Sequence, residues 1–128
     1  MRKKNINLWE ARELSERFCN DMDIPYCEVY YVDRLNGCQG IYIWLEPQHM
    51  LVWKKCKDKL PVVMHELIHH LDSCSNPTAM VLNHSTQNYI NAKRRVINWC
   101  KKNISEKANW NIGLKAAQND KEMATFQL

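Results

Sequence analysis

Residues 62–72 of the chain, VVMHELIHHLD, hold three of its five histidines within six positions. His65 and His69 are four residues apart, so on a helix their imidazoles lie one turn from each other, close enough to bind one zinc ion. Glu66 is offset around the helix, where its carboxylate can take a proton from a zinc-bound water without displacing that water. This H-E-x-x-H spacing predicts metal-assisted hydrolysis, with two histidine ligands and a glutamate as general base.

A helix through this stretch has two chemically different sides. At about 100° per residue, Asp72 falls on the same side as His65 and His69. The opposite side carries only apolar residues: Val63, Met64, Leu67 and Leu71. We therefore expect the apolar side to pack in the core and the polar side to form the wall of a cleft. The alternative is a solvated histidine face that binds no metal.

A catalytic zinc usually takes three protein ligands and leaves one position to water. Asp72 lies two turns from His65, so we expect it to accept a hydrogen bond from a ligand imidazole rather than to bind the ion. His84 is the better third ligand, because it follows a loop at the mouth of the next predicted helix, where the chain can fold back. A simple helix-start residue is the alternative for it. His70 and His49 are expected to be structural.

The elements that position these residues follow from hydrophobic periodicity. Apolar residues recur at three and four up to Met22, which predicts a first helix ending near Asp23. Aromatic and β-branched stretches predict strands at residues 26–32, 41–45 and 49–53, with a turn at Asn36-Gly37 between the first two. Asp58 and Pro61 mark the start of the histidine helix, which should run to about residue 73. A long helix should span about 85–102, a final helix 105–117 is possible, and the polar end should fray.

The order of one helix, three strands and two or three helices predicts an α+β fold. At 128 residues the chain forms a single domain, residues 1–128, with its core at about 8–103 and a C-terminal helix and polar tail at 104–128. The hydrophobic fraction is 45% and the charged fraction 25%, as in soluble globular proteins. Neither a signal peptide nor a run of eighteen apolar residues is present, so we expect a cytoplasmic protein without a membrane segment.

Six cysteines are spread along the chain without any C-x-x-C pair. We expect free, mostly buried thiols, with disulfides as the alternative, and the spacing argues against a zinc ribbon. The net charge is +4, and part of the excess lies in Lys93, Arg94 and Arg95. These residues could associate weakly with nucleic acid, although a solvated basic face is the plainer interpretation.

Together these segments resemble the SprT-like zinc metallopeptidases and, more loosely, small WLM-type hydrolases. The matching stretches are DRLNGCQGIYIWLE, VVMHELIHHLD and NHSTQNYINAKRRVINW, within about residues 8–103. The resemblance implies a zincin-like minimal metalloprotease domain with an N-terminal helix, a three-stranded antiparallel sheet, the H-E-x-x-H helix and a long C-terminal helix. It implies His65, His69 and His84 as zinc ligands and Glu66 as the general base.

On this interpretation the chain is a monomeric zinc metalloendopeptidase acting on a protein or peptide substrate. A strand of the hairpin at residues 41–53 could hold the substrate by backbone pairing, and Tyr89 or Arg95 could stabilise the oxyanion. In the family an aromatic residue usually follows the third histidine by four positions, whereas here Tyr89 follows by five. Two rivals remain: a non-catalytic zinc-stabilised module that binds nucleic acid or a protein, and an ImmA/IrrE-like regulatory protease with one specific substrate.

Overall fold

The computed structural model describes residues 6–35, 37–76, 84 and 86–103. Three helices and three strands follow one another as α1 Leu8–Met22, β1 Glu28–Val32, β2 Gly40–Ile43, β3 His49–Trp53, α2 Lys59–Ser75 and α3 Gln87–Asn103. The α+β class and the predicted order of elements are confirmed, and the predicted bounds differ from these by a few residues at most. The predicted helix at 105–117 and the polar tail lie outside the described residues.

The first helix, α1, is closed at both ends by its own sequence. The Asn7 side chain accepts a hydrogen bond from the Glu10 amide at 2.8 Å, and the Glu10 carboxylate accepts one from the Asn7 amide at 2.9 Å. This capping box satisfies two amides that the first turn leaves unbonded. At the other end Asp23 adopts a left-handed conformation, with φ of 56°, and its amide bonds the last turn. The predicted end near Asp23 is therefore confirmed.

The sheet is mixed rather than antiparallel, which corrects the sequence-based expectation. Its strand order is β1-β3-β2. β1 runs parallel to β3 in the register Glu28↔His49, and β2 runs antiparallel to β3 in the register Ile41↔Leu51. β1 and β2 therefore lie at the two edges of the sheet, with β3 between them, although they follow one another in the sequence.

Burial explains why β3 takes the central position. Met50 and Val52 are fully buried, and the backbone groups on both edges of β3 are paired with neighbouring strands. On the edge strand β1, side chains form hydrogen bonds with the outward amide and carbonyl of Val29. Arg12 Nε donates to the Val29 carbonyl at 3.0 Å, and the Val29 amide donates to the Glu28 carboxylate at 3.0 Å. Local sequence patterns give no information about which strand can be closed in this way.

The histidine helix, α2, lies at the centre of the molecule. We expected one buried side, but α2 is buried on nearly every side, including the polar residues Glu66, His70 and Asp72. His65 keeps partial exposure in the middle of the helix. Asp58 occupies the N-cap position as predicted, although its side chain makes no capping hydrogen bond. A central helix fixes its polar groups more firmly than a surface helix, because neighbouring elements pack against it on all sides.

The third helix, α3, packs one apolar side against the rest of the core. Its buried residues include those predicted from periodicity: Tyr89, Ala92, Val96 and Trp99. The Trp99 ring meets Phe18 of α1 edge-on at a centroid distance of 5.2 Å, and its Nε1 donates to the Asp21 carboxylate at 2.7 Å. These contacts fix the position of α3 against α1.

All six cysteines are free, and four of them are buried: Cys19, Cys27, Cys56 and Cys100. The prediction of free, mostly buried thiols is confirmed. Burial raises the pKa of the Cys74 thiol to about 11 and raises that of Cys100 as well, so these thiols stay protonated near neutral pH. No helix within the described ranges is both long and apolar enough to span a bilayer.

Candidate metal centre

Three histidines from two parts of the chain meet in one place. His65 and His69 come from α2, and His84 lies shortly before α3. The nitrogen atoms that these three side chains can offer to a metal lie within 4.8 Å of one another, and the Nε2 atoms of His69 and His84 are 2.8 Å apart. The structure thus places His84 next to His65 and His69, as predicted, although His84 follows His69 by 15 residues in the sequence.

The trio suits a metal ion in both chemistry and spacing. Neutral imidazole nitrogens are good ligands for zinc and neighbouring transition metals. Nitrogens bound to one zinc at 2.0–2.1 Å in a tetrahedral site lie about 3.3 Å apart, between the shortest separation found here and the upper bound. Within the part of the chain that the structure describes, no other group of three histidine, cysteine or acidic residues has this proximity. Asp72 does not belong to the group.

Tyr89 packs against all three imidazoles. Its ring centroid lies 4.8 Å from that of His84, 5.1 Å from that of His69 and 6.5 Å from that of His65. The side chain is fully buried, so its ring supports the trio from within the core. An aromatic residue five positions after the third histidine therefore reaches the site. Arg95, the other predicted oxyanion donor, does not: its Nη2 lies 3.3 Å from Met22 Sδ on α1.

Glu66 lies at a close contact between α2 and the first residue of β2. A Cβ atom added to Gly40 would lie 3.0 Å from Glu66 Oε2 and 2.6 Å from Val62 Cγ1. Glycine at the start of β2 thus allows α2 to approach, and the Glu66 carboxylate rests against the backbone of that strand. The carboxylate is buried, with Glu66 4% exposed. Sequence reasoning selected Glu66 but missed Gly40, whose importance arises only from this tertiary contact.

We predict that Gly40→Ala destabilises the fold by about 1–3 kcal/mol, because the added methyl group overpacks the contact between α2 and β2. The midpoint of urea denaturation measures this effect. Removing the clashing methyl group provides the control: in a Val62→Ala background the additional cost of Gly40→Ala should fall by at least half. Equal costs in the two backgrounds would show that the contact with Val62 does not restrict this position.

His70 is structural, as predicted. The ring is fully buried, with Nε2 2.6 Å from the Pro25 carbonyl and Nδ1 2.9 Å from the Tyr42 hydroxyl. A carbonyl can only accept, so Nε2 carries the proton and Nδ1 accepts from Tyr42. Burial lowers the pKa of His70, in keeping with a neutral ring. This bridge ties α2 to β2 and to the segment before β1, next to His69 of the histidine trio.

Two other predicted residues lie outside the trio. The Asp72 carboxylate accepts a hydrogen bond from Asn76 Nδ2 at 3.1 Å, at the end of α2, instead of from a ligand imidazole. Burial raises the pKa of Asp72. His49 is a strand residue, as predicted, and its Nδ1 lies 2.8 Å from the Pro47 carbonyl. The prediction that Asp72 orients a histidine ligand is therefore wrong, because its carboxylate is hydrogen-bonded to Asn76 at the end of α2.

The predicted basic surface on α3 is smaller than the sequence suggested. Lys93 is 1% exposed, with its Nζ 5.5 Å from the centroid of the Tyr89 ring. Arg94 and Arg95 are exposed. A buried ammonium cannot contact nucleic acid, so two side chains of the three remain for any such association.

Comparisons of the chain with protein-family models, with curated proteins and with solved structures found no match.

Proposed function

We propose that this protein is a zinc-dependent metallopeptidase. The observation that carries the proposal is the convergence of His65 and His69 of α2 with His84. Glu66 of the same helix lies against β2, an edge strand of the sheet. A catalytic zinc site needs three protein ligands and one open position. The described residues supply three ligands and bring no fourth to the group, which favours the enzyme over a closed, purely structural site.

Bound zinc would supply Lewis acidity, polarising a carbonyl group and lowering the pKa of a water molecule. The protein supplies the proton transfers. Glu66 takes the proton of the attacking water and returns it to the leaving amine. Its burial beside Gly40 limits the directions in which the carboxylate can move, and a held carboxylate loses little freedom when the reaction begins.

The outer edge of β2, with which no other strand of the described residues pairs, is suited to holding a peptide substrate. The Trp53 amide donates to the Gln39 carbonyl at 2.9 Å, so the backbone groups of every second residue of β2, Gly40 and Tyr42, point away from β3. A peptide in extended conformation can pair with these groups. The hydrogen bonds would run beside Glu66, because Gly40 contacts it. Of the hairpin at residues 41–53, β2 rather than the central β3 is the strand that has room for a substrate.

The rival functions are distinguished by the fourth metal position and by substrate range. A binding module would complete its shell with another protein ligand, and Asp72 is engaged with Asn76 instead. An ImmA/IrrE-like regulatory protease would use the same residues but cut one protein. Cleavage of several unrelated unfolded proteins would separate the proposed general peptidase from that narrower enzyme.

Metal removal tests the proposal directly. We expect the purified protein to contain about one zinc per chain and to cleave unfolded protein substrates. Dialysis against a chelator should abolish cleavage, and added zinc should restore it. Metal content is measured by atomic absorption and cleavage by mass spectrometry of the fragments. Cleavage that persists in metal-free protein would refute the proposal.

A further inference from the structure

The two edge strands of the sheet, β1 and β2, differ in how side chains protect their outward backbone groups. On β1, the Arg12 and Glu28 side chains bond the outward carbonyl and amide of Val29. Along β2 and the two residues that follow it, the sequence GIYIWL contains no charged residue and no proline. Charges, prolines and bulges are the usual protection of an exposed edge. In the described residues, side chains therefore bond the outward backbone groups of Val29 on β1, whereas the edge formed by β2 has neither a charged residue nor a proline.

The side chains on the outer face of the sheet, the face opposite the buried Tyr42 and Met50, are apolar along β2. Tyr42 and Met50 point inwards and are buried, so their neighbours Ile41, Ile43 and Leu51 point to the opposite face, where they are half-buried. The register makes one row of Tyr30, Leu51 and Ile41 across the three strands. At the free edge both outward side chains of β2 are isoleucines. Trp44 and Leu45, which follow the strand, are 40% and 59% exposed.

We infer that the peptidase site selects extended segments that carry apolar side chains at alternate positions, as unfolded β-strand sequences do. This inference rests on the proposed function. A peptide strand paired with β2 places every second side chain on the outer face, beside Ile41 and Ile43. There it extends an apolar surface and meets no charge on β2. The intervening side chains point to the inner face, towards α2 and Glu66.

Binding to an inactive protein tests the inference without requiring cleavage. The protein is the zinc-loaded Glu66→Gln variant of the full chain, and the probes are fluorescein-labelled octapeptides, one alternating leucine with threonine and one containing threonine throughout. Fluorescence anisotropy gives the two dissociation constants. We expect the alternating peptide to bind about ten-fold more tightly, since two or three leucines gain apolar contact. Equal affinities would overturn the inference.

Substitutions at the edge test where the selection arises. With Ile41→Thr and Ile43→Thr combined, the ten-fold ratio should fall to about two-fold, because threonine keeps strand propensity but removes apolar surface. Tyr30→Thr is the matched control, since it lies on the same face and in the same row but at the far edge, and it should leave the ratio unchanged. If the ratio of dissociation constants falls in Tyr30→Thr but is unchanged by the isoleucine substitutions, the preference does not arise at the edge of β2.

Backbone changes in the peptide provide a test that cannot disturb folding. Only every second residue of a strand directs its amide towards the neighbouring strand. Methylating the amide nitrogens one at a time should therefore weaken binding at least ten-fold at one alternate set of positions and leave the other set nearly unchanged. Uniform sensitivity along the peptide would refute strand pairing.

The outcomes separate the inference from the function on which it rests. Alternation-dependent binding without any cleavage by the native protein would refute the peptidase and retain the ligand class. Cleavage without preference for alternating peptides would retain the peptidase and refute the ligand class. A different outcome is self-association of the protein, measured by analytical sedimentation. If the isoleucine changes abolish this self-association and the peptide does not compete with it, the β2 edge binds a second copy of the chain instead of a peptide.

Discussion

Replacing Glu66 by glutamine should lower kcat/KM for peptide cleavage by about 10²–10⁴-fold, the usual contribution of a general base. The amide has nearly the same shape as the carboxylate, so it fits the buried space beside Gly40. It cannot accept the proton of the attacking water at neutral pH. Glu66 does not belong to the group of three histidines proposed to bind zinc, so zinc content should remain near one per chain.

The readouts for Glu66→Gln are cleavage rate and metal content measured on the same preparation. Glu16→Gln removes an equal charge from an exposed position on α1 and should change neither. Undiminished cleavage by the Glu66 variant would contradict its role as general base. Loss of zinc together with activity would instead mean that the carboxylate supports the metal shell.

His84→Ala should weaken zinc binding at least about a hundred-fold. Replacing a residue that merely orients a ligand costs about 10–100-fold in affinity, and loss of a ligand itself should cost no less. The His84 Nε2 atom lies 2.8 Å from that of His69, so the substitution removes one of the three grouped imidazoles and leaves the two on α2. Competition with a chromogenic zinc chelator measures the change.

His49→Ala is the control for this prediction. It also removes an imidazole, but His49 lies on β3 and contacts the Pro47 carbonyl instead of the trio. Zinc affinity should be unaffected by it. Native affinity in His84→Ala would leave only the pair on α2 and would remove the main structural support for a catalytic zinc.

The H-E-x-x-H segment shows how far sequence reasoning could reach. Its periodicity placed His65 and His69 on one side of a helix, because helical geometry is local and nearly invariant. The strand propensities of residues 26–32 and 49–53, the apolar periodicity of α1 and the apolar stripe of α3 are local properties as well. They predicted the elements and their order within a few residues.

The sheet shows where local patterns stopped. Whether β2 pairs with β1 or with β3 depends on which strand buries more and which edge the rest of the chain can close. Arg12, distant from β1 in sequence, supplies part of that closure. The prediction for Asp72 was wrong for a different, local reason: its carboxylate accepts a hydrogen bond from Asn76, four residues further along at the end of α2, and not from an imidazole.

By itself, the sequence determined the helices and strands, the candidate ligands and the acidic neighbour, because these depend on residue type and short-range spacing. The tertiary structure alone decided that His84 reaches the pair, that Tyr89 packs behind all three and that Gly40 lets α2 approach the edge of β2. The physical reason is that these contacts join segments separated by many residues. Their formation depends on the packing of the whole core, which no short stretch of sequence encodes.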